Sequence, residues 1–291
     1  MASSKICSIF KPNLFKDKVA IVTGGGTGIG KAITTELLYL GCKVIIASRK
    51  EDRLSTAVNE LKTVLNDHAP DVASVVCNIR KEDEVKNLVQ ETLKKYGKID
   101  YLVNNGGGQF LSAACDISSK GWDAVIETNL KGPFLLSKEV FDKWMKNNGG
   151  SIVNILMDFG RGFPMMAHSA AARSGLDNLT KTLAIEWAQN GIRVNAVAPG
   201  SSIYSETAAK NYPVDVFSVV KENVPTKRLG TTEEVSAAVC FLLSPGASFI
   251  SGATLHVDGG GRLYSKLMWE IPDHKNLPPL NSLSDASKSK L

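Results

Sequence analysis

Thr23-Gly24-Gly25-Gly26-Thr27-Gly28-Ile29-Gly30 directly follows the apolar run Val19–Val22. The run predicts a buried strand, and the glycines predict a tight turn because they adopt backbone angles that other residues resist. Apolar residues at helical spacing then continue to a stop at Gly41, so the turn opens a helix. Such a turn presents unpaired N–H groups to the pyrophosphate of a dinucleotide. Glycine turns also join strands to helices for packing reasons alone, so the turn by itself leaves both interpretations open.

Length and composition describe an ordinary globular chain. Its 291 residues, 43% hydrophobic and 22% charged, suffice for one large α/β domain with a full core. The net charge of +5 comes with lysines scattered along predicted helix faces, which favours a solvated surface over nucleic-acid binding. Because no run of about 18 apolar residues occurs, no membrane span is predicted.

The cysteines favour an intracellular compartment. They form no CxxC pair and no regular spacing, which predicts reduced, buried thiols and no metal site. The five are Cys7, Cys42, Cys77, Cys115 and Cys240.

The last three residues, Ser289-Lys290-Leu291, match the address that the peroxisomal import receptor binds at a free C-terminus. They end a polar tail that begins at Pro278 and is rich in Ser, Lys and Pro, which predicts a flexible segment that a receptor can hold. The sequence therefore predicts a peroxisomal location, with the import receptor as a partner.

Seven short apolar runs alternate with helical patterns, one of which predicts a long helix over residues 122–146. The predicted strands are Val19–Val22, Lys43–Ala47, Ala73–Cys77, Ile99–Val103, Ser151–Leu156, Arg193–Ala198 and Ala253–Val257. This alternation predicts an α/β fold, a single doubly wound Rossmann domain with a seven-stranded parallel sheet. We expect the domain over residues 16–262, with an N-terminal extension at 1–15 and a C-terminal extension at 263–291.

The end of the second strand bears on the choice of dinucleotide, because ligands of such sheets lie beyond the carboxyl ends of the strands. Ser48 and Arg49 stand where an NAD site places an acid for the ribose 2′-hydroxyl. A guanidinium there, with Arg53 as a second cation, suits a 2′-phosphate and predicts NADPH. The alternative is that both arginines are simply exposed residues at a helix start.

Several motifs occur together in one order. They are Thr23-Gly24-x-x-x-Gly28-x-Gly30, Asn104-Asn105-Gly106-Gly107, Asn129, Pro199-Gly200 and Asp258-Gly259-Gly260. In this combination the chain resembles the short-chain dehydrogenase/reductase family over about residues 16–262. The resemblance implies a bound nicotinamide dinucleotide, and it implies cofactor contacts at Gly24, Thr27, Gly28, Ile29, Gly30, Ser48, Arg49, Arg53, Asn78, Ile79, Asn105, Gly106, Gly107, Arg173, Pro199, Gly200 and Ile203.

The usual catalytic set of that family is Asn, Ser, Tyr and Lys, in which the Tyr gives a proton to a carbonyl oxygen. Alignment with the family pattern matches Asn129 but puts Met157, Ser169 and Arg173 at the Ser, Tyr and Lys positions. A simple alcohol dehydrogenase is therefore disfavoured. Arg173 can still bond the nicotinamide ribose and supply positive charge, although a guanidinium is a poor proton donor.

This departure resembles the members of the family that reduce carbon–carbon double bonds of acyl-CoA thioesters. Stretches such as Asn104–Leu111, Ser118–Trp122 and Ile203–Ser205 are similar to those of peroxisomal trans-2-enoyl-CoA reductases. The resemblance implies NADPH-dependent reduction of the 2,3 double bond of a trans-2-enoyl-CoA in peroxisomal fatty-acid metabolism, by a homotetramer. A 2,4-dienoyl-CoA reductase, an NADP-binding regulatory protein without turnover, and a carbonyl reductase remain as alternatives.

The expected catalytic residues are Asn129, Ser169, Arg173 and Tyr204. Candidate proton donors are Ser169, Tyr204 and His168, although Tyr204 could be a packing aromatic and His168 a hydrogen-bonded residue near a helix start. Arg173, Asp177 and Lys181 follow one another at four-residue spacing, which predicts an ion-pair ladder on a helix surface.

Overall fold

The centre of the fold is a sheet of seven parallel strands in the order β3-β2-β1-β4-β5-β6-β7. The computed structural model describes residues 8–65, 71–158, 162–210, 215–266 and 269–282. Cys7 and the C-terminal tripeptide therefore lie outside the described residues. The strands are β1 (Val19–Thr23), β2 (Lys43–Ser48), β3 (Val72–Val76), β4 (Tyr101–Asn104), β5 (Gly150–Ile155), β6 (Ile192–Pro199) and β7 (Thr254–Val257). The predicted Rossmann sheet is confirmed.

Helices cover both faces of the sheet. They are α1 (Gly28–Tyr39), α2 (Glu51–Leu65), α3 (Glu82–Tyr96), α4 (Ser119–Ile126), α5 (Gly132–Val140), α6 (Lys146–Asn148), α7 (Ala167–Glu186), α8 (Glu206–Ala209), α9 (Val216–Glu222) and α10 (Thr232–Leu243). None of the helices within these described ranges is long and apolar enough to cross a membrane.

The long helix predicted over residues 122–146 is divided into three α-helical pieces. Two π-helical turns, Glu127–Lys131 and Phe141–Met145, join α4, α5 and α6. Each π-turn admits one extra residue, which rotates the residues after it about the helix axis. Apolar spacing does not report such an insertion, so the sequence predicted one regular helix.

The core lies in two layers because successive side chains of a strand point to opposite faces. Ala20 and Val22 of β1 pack with α1, α2 and α10. Ile21, between them, packs with α3, α5 and α7 on the other face. All five residues of β1 are buried, as expected for a central strand covered on both sides.

Residues that the sequence placed in the two extensions pack against the domain. Phe15 is fully buried and meets the ring of Tyr101 edge-on at 5.4 Å. At the other end, Arg228 donates to the carbonyl oxygens of Leu277 and Pro278. The predicted flexible tail from Pro278 is therefore held at its start, through a contact between distant parts of the chain.

Three of the four described cysteines, Cys42, Cys77 and Cys240, are buried, and Cys115 is exposed. Burial raises the pKa of the Cys77 thiol to about 12, with nearby acidic side chains adding to the effect. Burial likewise raises the pKa values of Cys42 and Cys240. These three thiols therefore stay protonated and unreactive near neutral pH.

Candidate active site

The glycine turn between β1 and α1 forms a cradle for an anion. Gly24 and Gly28 have positive φ angles of 66° and 51°, which favour glycine. Thr27 caps α1 in an extended conformation, and no acidic side chain occupies the first turn of the helix. A Cβ on Gly30 would collide with the backbone oxygen of Gly24. The turn is therefore closely packed and presents the N-terminus of a 12-residue helix to the space above it.

That space is a groove of about 920 Å³. One wall contains Gly26–Gly28 and Lys31, and the facing wall contains Tyr204–Thr207. The Oγ of Ser205 lies 3.5 Å from the position of a Cβ on Gly28, so the two walls meet closely at this point. The residues fit a dinucleotide pyrophosphate, which needs glycine at the closest approach and N–H donors at a helix start.

Thr23 joins the ends of β1 and β4 beside the turn. Its Oγ1 accepts hydrogen bonds from the N–H groups of Asn105 at 3.0 Å and Gly106 at 2.8 Å. The Asn105 side-chain amide in turn donates to the Thr23 carbonyl at 2.9 Å. Asn105 therefore fixes the strand ends, and the backbone of Gly106 and Gly107 borders the space next to the turn.

Arg49 and Arg53 are exposed at the end of β2 and the start of α2. Neither forms an ion pair with another residue in the described part of the chain. A Cβ on Gly26 would lie 3.9 Å from the Arg53 carbonyl oxygen, so the first turn of α2 flanks the glycine turn. Ser48 is half-buried at the end of β2. The residues that carry two exposed guanidinium groups thus lie at the edge of the sheet that bears the cradle, and such groups suit a phosphate.

The residues after β3 border the other side of the glycines. Asn78 Oδ1 accepts from the N–H of Arg80 at 3.3 Å, and Glu84 accepts from the Asn78 N–H at 2.7 Å. Asn78 thus stabilises the turn that follows β3. Ile79 Cδ1 lies 3.5 Å from the position of a Cβ on Gly106.

The last predicted cofactor residues lie at the end of β6. The Pro199 carbonyl accepts from the Asp158 N–H at 3.1 Å, and the Gly200 N–H donates to the Val257 carbonyl at 2.9 Å. Ile203 donates its N–H to the Gly200 carbonyl at 3.1 Å. Pro199, Gly200 and Ile203 therefore form the turn that leads into the facing wall of the groove. Ile29 is half-buried in the first turn of α1.

Asn129 is fully buried in the first π-helical turn. Its amide donates to the Gly108 carbonyl at 2.9 Å and its Oδ1 accepts from the Gly108 N–H at 3.0 Å. Arg173 Nη2 reaches the same Oδ1 at 3.4 Å. Asn129 therefore holds Gly106–Gly108, the glycine strip that follows β4, and links this strip to α7.

Arg173 is buried beneath this strip. Its Nη1 donates to the Ile155 carbonyl at 2.5 Å. Burial lowers the pKa of Arg173 to about 10, so the guanidinium remains charged at neutral pH. Its Nε is buried without a hydrogen-bond partner among the described residues. A Cβ on Gly107 would collide with Nη2 of Arg173, which shows how closely the guanidinium meets the glycine strip.

The predicted ladder on α7 is only partly present. Asp177 pairs with Lys181 at 2.5 Å and also accepts a hydrogen bond from Thr254. The prediction that Arg173 joins them was wrong, because its guanidinium points inward to Ile155 and Asn129. Four-residue spacing places two side chains on neighbouring turns but does not decide which of them is buried.

Ser169 is fully buried one turn before Arg173. Its hydroxyl donates to Gln109 Oε1 at 2.8 Å and lies 3.4 Å from Met157 Sδ. Its backbone N–H donates to His168 Nδ1 at 2.8 Å, so the proton of a neutral His168 ring is on Nε2. That Nε2 is buried without a hydrogen-bond partner among the described residues.

Tyr204 lies apart from these residues, on the facing wall of the groove. Its ring meets that of Phe217 edge-on at 5.2 Å and is 44% exposed. Its hydroxyl forms no hydrogen bond to the described part of the chain. The structure thus joins Asn129, Ser169 and Arg173 through Gly108, Gln109 and the end of β5, while Tyr204 belongs to the groove.

Comparisons with known proteins agree with this arrangement. A sequence profile of the family described as Enoyl-(Acyl carrier protein) reductase matches residues 24–262, which include the glycine turn, Asn129 and α7. The chain belongs to the short-chain dehydrogenase/reductase family. As a member of its enoyl reductase group, it is an oxidoreductase whose Rossmann domain binds a nicotinamide cofactor.

Curated relatives within the family reduce acyl-CoA thioesters according to their names. The peroxisomal 2,4-dienoyl-CoA reductase ((3E)-enoyl-CoA-producing) of Danio rerio is 36% identical over 274 residues, covering 90% of this chain and 87% of the relative. A probable 2,4-dienoyl-CoA reductase ((2E)-enoyl-CoA-producing) of Bacillus subtilis is 35% identical, covering 84% of this chain and 96% of the relative.

A solved structure of the family also superposes closely. The citronellol catabolism dehydrogenase of Pseudomonas aeruginosa is 45% identical, with a TM-score of 0.78, and the match covers 88% of this chain and 99% of that one. The shared fold therefore extends over nearly the whole of a family member.

Proposed function

We propose that the chain uses NADPH to reduce a carbon–carbon double bond conjugated to the thioester of an acyl-CoA. The observation that carries this proposal is the cluster around Ser169. Where the family places Ser, Tyr and Lys, the cluster has Met157, a serine whose hydroxyl donates to Gln109, and Arg173. These residues supply positive charge but no phenol to protonate a carbonyl oxygen.

Two substrates fit this chemistry. The names of the relatives support a 2,4-dienoyl-CoA, and this is the substrate we propose first. The trans-2-enoyl-CoA implied by the stretch Asn104–Leu111 is the second candidate. In each case a hydride is added to a carbon of the conjugated system, and negative charge develops on the thioester oxygen. The α-carbon is then protonated.

NADPH is supported as the cofactor by Arg49 and Arg53, which have no anionic partner in the described part of the chain. When bound, this cofactor supplies the hydride. We infer that the glycine turn from Gly24 to Gly30 holds its pyrophosphate and that Arg49 binds the 2′-phosphate. Asn105 and Ile79 would then border the adenosine side, and Pro199–Ile203 the nicotinamide side.

In the proposed reaction this chain orients the ligands, supplies a positive charge and delivers one proton. Arg173 holds a fixed positive charge beside Gly107, and Asn129 fixes the backbone that the ligands cross. The Ser169 hydroxyl, placed by Gln109, is our candidate for passing a proton to the α-carbon, with Tyr204 as the alternative from the facing wall. Solvent could also supply this proton, because Gln109 is exposed.

An apolar surface beside Ser169 suits an acyl chain. Phe110, Leu111 and Met165 are each 37–48% exposed, and the Phe110 ring meets that of His168, the neighbour of Ser169, edge-on at 4.4 Å. The Ser112 N–H donates to the Met165 carbonyl at 2.9 Å, which holds the two segments together. Exposed apolar side chains concentrated beside polar catalytic groups are typical of a binding site for an apolar ligand.

We also propose a homotetramer imported into the peroxisome. An apolar depression of about 430 Å³ lies between α5 and α7, lined by Leu130, Phe134 and Leu179 among others. Phe249, on another part of the surface, is fully exposed. The depression and the exposed ring suit contacts between subunits, and the resemblance to the family supports four of them. Import would depend on Ser289-Lys290-Leu291, which is outside the described residues.

The test follows NADPH oxidation with 2,4-dienoyl-, trans-2-enoyl- and 3-ketoacyl-CoA, with products identified by mass spectrometry and NMR. We expect turnover of at least one of the first two. Preference between these two decides the substrate, and the double-bond position in the product reports where hydrogen was added. Turnover of the ketoacyl thioester alone would contradict the proposal, and NADPH binding without any turnover would favour a regulatory role.

A further inference from the structure

Arg228 connects the C-terminal segment to the wall of the groove. All five of its N–H groups donate hydrogen bonds. Two reach the carboxylate oxygens of Glu234 at 2.7 and 2.9 Å, and one reaches the Leu229 carbonyl at 3.1 Å. The other two reach the carbonyls of Leu277 and Pro278 at 2.6 and 3.3 Å. One guanidinium thus bridges α10, the loop before it and the C-terminal segment.

The carboxylate of Glu234 also accepts several hydrogen bonds. Besides Arg228, it accepts the Thr231 N–H at 2.9 Å and completes the capping box of α10. Burial alone would raise the pKa of Glu234, but the bonds from Arg228 and from the N–H groups of Thr231 and Leu280 outweigh burial and lower it. The carboxylate therefore stays ionised and pairs with Arg228 across the physiological range.

Two further contacts attach the same segment, residues 269–282, to the loop 224–231. His274 Nε2 lies 2.9 Å from the Pro225 carbonyl oxygen. Asp273 lies 3.9 Å from the ammonium of Lys227, whose side chain is buried and whose φ is +53°. A buried lysine in this uncommon conformation persists only where its surroundings hold it.

The loop 224–231 is in turn hydrogen-bonded to the segment that leads into the groove wall facing the glycine turn. The Gly230 N–H donates to the Ser202 carbonyl, and the Tyr204 N–H donates to the Gly230 carbonyl, both at 2.9 Å. A Cβ on Gly230 would lie 2.5 Å from Ile203 Cδ1, so the two strips of backbone lie in close contact. Asn281 of the C-terminal segment itself lines the groove.

We propose that residues 269–282 form a strap that is part of the cofactor site, and that Arg228 is the positioning residue through which the strap fixes Ile203 and Tyr204 opposite the glycine turn. The inference rests on the proposed function only in taking NADPH as the occupant of the groove. Arg228 acts through Gly230, two residues further along the loop, whose backbone pairs with Ser202 and Tyr204.

Two variants test the proposal, Arg228→Met and His274→Ala, with Lys266→Met as the matched control. Lys266 pairs with Glu270 on the surface of the same C-terminal region and does not hold the loop. Amide hydrogen exchange is measured at Tyr204 and Gly230, and NADPH affinity by fluorescence titration. Both readouts are independent of the acyl substrate, so they remain informative if the proposed reaction is wrong.

We expect Arg228→Met to accelerate exchange at Tyr204 and Gly230 and to raise the Kd for NADPH at least about fivefold, with a smaller effect of His274→Ala. Arg228→Lys should recover part of the affinity. Unchanged exchange at both amides would overturn the proposal. Faster exchange throughout β1, β4 and β5 would also overturn it, because Arg228 would then support the whole fold.

Discussion

The Ser169 hydroxyl donates to the side-chain oxygen of Gln109 over 2.8 Å, across a separation of 60 residues. The bond joins the start of α7 to the segment after β4 and directs the serine proton along a defined line. Because Ser169 is fully buried and Gln109 is exposed, the pair connects the interior of the site to the protein surface.

Single and double substitutions of this pair test whether it acts as a unit. We expect Ser169→Ala to lower kcat by about 100-fold, the lower end of the range for a lost proton donor, and Gln109→Ala to lower it less. The double variant should be no slower than Ser169→Ala, because the second change removes a bond that is already lost. Steady-state kinetics with the preferred thioester measure the coupling.

Asp177→Ala is the control for that experiment. Asp177 pairs with Lys181 and Thr254, away from Ser169, so its loss should leave kcat within about twofold. If Asp177→Ala alone abolished turnover, the assignment of the site to Ser169 and Arg173 would be wrong.

Replacing Arg173 separates its charge from its hydrogen bonds. Arg173→Met should lower kcat by at least about 100-fold through loss of positive charge, and the unpaired Ile155 carbonyl should cost about 1–3 kcal/mol of unfolding free energy. Arg173→Lys keeps the charge and should retain more activity. If Arg173→Met and Arg173→Lys lowered kcat equally, the positive charge would not be the cause of the loss. Denaturant unfolding, measured alongside the kinetics, gives the change in stability.

Arg49 should decide between the two nicotinamide dinucleotides. Arg49→Ala is expected to weaken NADPH binding by about 10–100-fold, the usual effect of removing a hydrogen bond to a charged group, without weakening NADH binding. Calorimetric titration with both dinucleotides measures the difference. Lys62→Ala, at the far end of α2, is the control, and a parallel loss of NADH affinity would argue against a phosphate contact.

Glu36 should make stability depend on pH. Burial raises its pKa above the ordinary value of 4.5, although hydrogen bonds from Ser236 and Ser8 oppose the shift. The protonated form is therefore favoured by folding, and the stability it contributes is lost as pH rises above about 4.5 through the folded-state pKa. Glu36→Gln should be more stable than the parent at pH 7, and the difference should shrink as the pH falls towards 4. Urea unfolding across this range measures the difference, and a constant gap at all pH values would contradict the assignment.

The sheet could be predicted from sequence because a strand buried on both faces must be apolar throughout, as in Val19–Val22 and Val44–Ala47. The glycine turn was predictable for a similar local reason, since Gly24 and Gly28 require angles that few residues adopt. Both features depend on a few consecutive residues.

The chemistry around Ser169 could not be read in the same way. The Gln109 bond depends on the distance between two loops, and the inward turn of Arg173 depends on the buried Ile155 carbonyl, which no spacing reveals. The attachment of residues 269–282 was also missed, because a polar segment looks flexible until a guanidinium such as Arg228 satisfies its carbonyl groups.

The close approach at Gly107 ties that glycine to the charge of the site. Nη2 of Arg173 stands where the first atom of a side chain at 107 would be, so a larger residue there would push the guanidinium aside. Because the guanidinium is held by the Ile155 carbonyl and Asn129, its displacement would disturb both contacts. A change at position 107 is therefore also a change in the electrostatics of the site, although glycine itself carries no charge.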